Sequence, residues 1–223
     1  MMMKKKLLSF VILCSLFSLV FAEKIMFSAD GMTGQAGSSN STTVLEGEAF
    51  VQTDTMKIQA DRIELSGENY RVIIAEGNVT GQNLESAMEF ECDTLSFDRT
   101  TKVATLQGNV SLKDKENNVT AKAQIIEYNQ ETDTAIMQIQ INLKQKENEC
   151  LGSYAIYLKQ QQLLELSGNA QITQKNDTFR AQHISLNMET QEITLDGNVR
   201  GSVKETKNKE EKTSAPKENL KDE

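Results

Sequence analysis

The stretch Leu106-Gln107-Gly108-Asn109-Val110-Ser111-Leu112 decides the fold. Leu106, Gly108, Val110 and Leu112 alternate with Gln107, Asn109 and Ser111, the period-two signature of a strand with one buried face. Its centre recurs along the chain as Leu45-Glu46-Gly47-Glu48-Ala49, Ala75-Glu76-Gly77-Asn78-Val79, Leu166-Ser167-Gly168-Asn169-Ala170 and Leu195-Asp196-Gly197-Asn198-Val199. The glycines follow one another after 30, 31, 60 and 29 residues. The double interval holds a degenerate copy, Met137-Gln138-Ile139-Gln140-Ile141, with Ile139 in the glycine column. The chain is therefore a repeat protein with about six units of about 30 residues.

A second column has the same period. A small residue is followed three and five positions later by large apolar ones: Ala60 with Ile63 and Leu65, Cys92 with Leu95 and Phe97, Ala123 with Ile126 and Tyr128, Ser153 with Ile156 and Leu158, and Ala181 with Ile184 and Leu186. Polar turns such as Ser66-Gly67-Glu68-Asn69 and Lys144-Gln145-Lys146-Glu147-Asn148 separate the halves and the units, so each unit is an up-and-down antiparallel pair. Parity slips between Ala123 and Ile126, which places a bulge or corner near Gln124 and its equivalents. Glycine at the matching depth of the other strand permits a bend there. Strands that all bend at one level give an all-β, antiparallel, bent-strand jellyroll, two facing sheets open at the ends.

The ends of the chain differ in composition. Lys4, Lys5 and Lys6 precede a 16-residue apolar run, Leu7 to Ala22, with the order of charges, apolar core and small residues of a secretory signal peptide cleaved near Ala22/Glu23. Residues 1–22 are thus expected to be a leader, 23–203 the repeat domain and 204–223 a charged, disordered tail. Ile25, Phe27 and Met32 are candidates for an edge strand. Removing the three leader lysines takes the formal charge from −8 to −11. The tail has six lysines and six acidic residues, so the deficit lies in the repeat domain, which excludes nucleic acid as a main partner.

The glycine-asparagine-valine column, the small-x-x-aliphatic-x-apolar column, the leader and the length resemble the OstA-like lipopolysaccharide-transport proteins, the LptA family, over residues 44–203. That resemblance implies a jellyroll whose apolar groove holds acyl chains of lipopolysaccharide or another amphipathic glycolipid. It also implies a periplasmic location, head-to-tail stacking, and partners in the jellyroll domains of LptC-like and LptD-like proteins. The domain departs from the expected pattern in being strongly acidic without a basic cluster for lipid phosphates, which leaves the cargo open between lipopolysaccharide and a related glycolipid.

The candidate groove residues are Leu45, Val51, Ile63, Leu65, Leu95, Phe97, Leu106 and Val110, followed by Ile126, Tyr128, Ile156, Leu158, Leu166, Ile172, Ile184 and Leu186. Ser96 and Tyr157 are expected to point outward. Medium aliphatics, alanine and glycine are expected to fill the interior incompletely. One long acyl chain would gain about 10 kcal/mol gross, at about 0.8 kcal/mol per methylene. No nucleophile with a base, metal-ligand spacing or phosphate loop occurs, so neither a catalytic residue nor a metal or cofactor is expected. His183 is expected on the surface. Cys92 and Cys150 sit in units two apart, about 19 Å at about 4.8 Å per strand, too far for a disulfide. The alternatives are an LptC-like membrane-anchored feeder, a structural β-repeat protein with no ligand, and a β-helix enzyme. The last lacks carboxylate clusters.

Overall fold

A computed structural model describes residues 24–34 and 42–204. The expected leader with its cleavage point, and the tail beyond Lys204, lie outside the described residues. Among the described residues, fourteen strands form one antiparallel sheet that does not close into a barrel. The long strands are β3 (Thr43–Gln52), β4 (Met56–Ser66), β5 (Val72–Asn83), β6 (Met88–Asp98), β7 (Val103–Asp114), β8 (Val119–Asn129), β9 (Thr134–Gln145), β10 (Asn148–Leu158), β11 (Leu163–Gln174) and β12 (Asp177–Asn187). Short strands finish each end. β1 (Met26–Ser28) and β2 (Gly31–Gly34) both pair with β3, and β13 (Ile193–Asp196) and β14 (Arg200–Ser202) both pair with β12.

Every long strand turns a corner at the same level, folding the sheet into two facing arms. The first arm holds Thr43–Glu46 of β3 and its register partners, and the second holds Ala49–Gln52 and theirs. At the corner of β7 and β8, Gln107 pairs Ile125 and Val110 pairs Ala123. Two residues, Gly108 and Asn109, thus oppose Gln124 alone. The extra residue sits on the glycine strand and not at Gln124, because Gly108 and Asn109 adopt successive left-handed conformations (φ 77° and 48°). The same pair of positive φ values recurs at 47–48, 77–78, 168–169 and 197–198, and the degenerate copy bends identically at Ile139 and Gln140. Asn78 and Asn109 each brace the corner by donating to Asp61 (2.9 Å) and Asp93 (3.0 Å).

One assignment in the second column is corrected. In β10 the inward residues are Ala155 and Tyr157, 0% and 1% exposed, whereas Ile156 and Leu158 are half-buried on the outer face. The small residue of this unit is Gly152, not Ser153, because the turn before β10 is only two residues long. Aliphatic residues on both faces of Leu151–Leu158 hide the shift from the periodicity.

Candidate functional site

The inward columns of both arms meet in one continuous apolar core. Of the expected groove residues, all but Ile156 and Leu158 are buried there, from Leu45 (1% exposed) to Leu186 (0%). The interior is packed and shut, not open. Three clefts of about 320, 390 and 650 Å³ are lined mainly by outer-face residues, among them Phe50, Ile156 and Arg180. Cys92 and Cys150 are buried and free. Burial pushes both thiols up to about 12. His183 is exposed, as the alternation requires. Among the described residues, no three His, Cys, Asp or Glu side chains gather as a metal site.

The edge opposite the corner is closed by a polar seam that the periodicity alone did not single out. Here the turns of the second arm meet turns of the first arm much further along the chain. The Tyr128 hydroxyl is hydrogen-bonded to the Ser86 hydroxyl (3.0 Å) and donates its proton to Asp133. Thr55 donates to Gln130 (3.2 Å). Tyr157 donates to Asp114 (2.9 Å), and Asn117 donates to the Tyr157 hydroxyl (3.1 Å). Lys159, 6% exposed, pairs with Glu116. Gln145 and Lys146 donate to the Met188 carbonyl (3.2 and 3.3 Å), and Asn148 donates to Gln191 (2.7 Å).

Each arm supplies the seam from a repeat column of its own. Asn83, Asp114 and Gln145, each 2% exposed, end β5, β7 and β9 at intervals of 31. Gln130, Lys159 and Met188 follow β8, β10 and β12 at intervals of 29. The signal was present in the parity, since Asp114 lies two residues beyond inward Leu112 and Gln145 two beyond inward Leu143. Polar residues that keep the inward phase at strand ends mark the closure.

The seam perturbs its own titrations. Burial, then Asp133, pushes the Tyr128 hydroxyl well above the usual tyrosine range, and burial followed by Asp114 does the same for Tyr157. Desolvation lowers Lys159, but Glu116, Asp114 and Asp133 outweigh it and leave the ammonium above its ordinary value. All three groups hold their protons more tightly when folded. Their contribution is therefore complete below about pH 10 and lost as the pH rises past it. In an alkaline titration followed by absorbance at 295 nm and circular dichroism, two of the four tyrosines should ionise only together with unfolding. Smooth ionisation of all four near pH 10 with the fold intact would contradict the seam.

A family model described as LptA/(LptD N-terminal domain) LPS transport protein matches residues 28–162 and, overlapping, 89–192. The chain belongs to that family. No curated protein matches it. Among solved structures, LptH of Pseudomonas aeruginosa, described as the LptA homologous periplasmic component of the lipopolysaccharide transport device, overlaps 82% of this chain and 96% of its own. Identity is 13% and the TM-score 0.25, too low to transfer a site or a cargo. What the family model supplies is the transport role named in its description.

Proposed function

We infer that this chain is a non-catalytic periplasmic carrier that shelters the acyl chains of lipopolysaccharide, or a related glycolipid, between its two arms. The observation that carries the reading is the uninterrupted apolar interior of a chain belonging to a lipopolysaccharide-transport family. Apolar burial alone gives the affinity, so capture needs no reactive group. Export through the leader, with a mature start near Glu23, puts the chain where such cargo travels.

Both ends favour stacking. Exposed Met26, Phe27 and Met32 lie at the β1/β2 edge, with exposed Val199 and Val203 beside the β13/β14 edge. Unpaired edges of this kind accept a strand from a like protein or from LptC-like and LptD-like jellyrolls. Unlike ends grow open assemblies instead of closed rings.

A packed interior is also what a ligand-free structural repeat protein would have, and the 0–5% exposure of most inward residues favours that second reading. Sedimentation of the purified chain with and without lipopolysaccharide separates the two. The carrier should co-sediment with glycolipid and grow in mass with concentration. A monomer that binds none would leave the structural protein.

A further inference from the structure

We propose that the polar seam is a separable port, through which acyl chains enter the interior sideways while the hydroxyl-rich headgroup stays among the amides of the turns. The proposal rests on the carrier reading and adds the route. It explains how a shut interior could be loaded.

Within the arms, backbone hydrogen bonds join neighbouring turns, closely along the first arm and more loosely along the second. Leu84 donates to Thr55 (2.8 Å) in the second arm, and Gln130 to Lys102 (3.0 Å), Lys159 to Asp133 (3.0 Å) and Met188 to Gln162 (2.7 Å) in the first. The contacts described across the seam all begin on side chains. The arms therefore part at the seam more easily than the strands part within an arm, with the corner as hinge.

The seam is also incompletely satisfied when closed. Asn83 Nδ2, Gln130 Nε2 and Asn148 Oδ1 are buried without a partner, and all three residues lie on the seam. Asn83 and Asn148 are only 2% exposed. Such groups destabilise a closed form and are relieved by water or by hydroxyl and phosphate oxygens when the edge opens. Met56 and Met88 open β4 and β6 beside these turns and Met188 follows β12, each at most 1% exposed. Unbranched thioether chains repack around an irregular guest at little cost.

The test locks the port. In the full chain carrying Cys92→Ala and Cys150→Ala, new cysteines from Glu116→Cys and Lys159→Cys are joined by a short bismaleimide containing a cleavable disulfide. A benzophenone amino acid replacing Phe97 reports interior capture of purified lipopolysaccharide. Locking should lower capture at least tenfold, and reductive cleavage of the linker should restore it, which also shows that the locked chain was folded. A second lock, through Asn148→Cys and Gln191→Cys, should act alike. Equal capture by locked and unlocked protein would overturn the port and leave entry through the ends. No capture by the unlocked protein would overturn the carrier reading, and the port with it.

Discussion

Replacing Gly108 by alanine should destabilise the fold by about 2–4 kcal/mol. The residue sits at φ 77°, where a Cβ atom is unfavourable. That Cβ would also lie 2.2 Å from Asp93 Oδ2 and 2.8 Å from its Cβ. Asp93 would have to leave a corner that it braces through Asn109. The matching test of opposite sign is Ile139→Gly. Ile139 has φ 66° and is half exposed, so a β-branched residue occupies a left-handed position and contributes little burial. Relief of that strain, less the entropy glycine loses on folding, should stabilise by about 1 kcal/mol. Denaturant unfolding measures both. A neutral Gly108→Ala would mean that the repeated corner is not set by the glycine.

Aspartate at Leu106 should cost more than about 4 kcal/mol, because an unpaired carboxylate would replace a leucine 1% exposed at the centre of the core. The same substitution at Ile156 should cost about 1 kcal/mol or less. Ile156 faces outward between Ile136 and Glu165, so the charge reaches water. The pair also tests the corrected register of β10, since the alternation read from Ser153 makes Ile156 an inward residue. Thermal melts followed by circular dichroism decide it, and collapse of Ile156→Asp would restore the original phase.

The fold was legible because two columns with one period constrain each other. Gly108 and its equivalents mark the corner, while Leu95 and Phe97 mark the buried face. The phase of β10 was not legible, because Leu151, Ile156 and Leu158 give the outer face the same aliphatic character as the inner one. The seam escaped for a different reason. Its contacts join residues about 40 or more positions apart, as with Asn117 and Tyr157, and each partner taken alone is an ordinary polar turn residue. Only folding of the two arms shows that Asp114, Gln130 and Lys159 close an edge. The closed interior likewise depends on how the two arms interlock, which composition does not specify.

The most direct measurement of the carrier claim is photo-crosslinking in living cells, with a benzophenone amino acid at Phe97 in one strain and at Ser96 in another. Phe97 is buried in the interior and Ser96, one residue away, is exposed on the opposite face. The account predicts a covalent glycolipid adduct from position 97 and none from position 96. Equal adducts from both positions, or none from a folded protein, would contradict it.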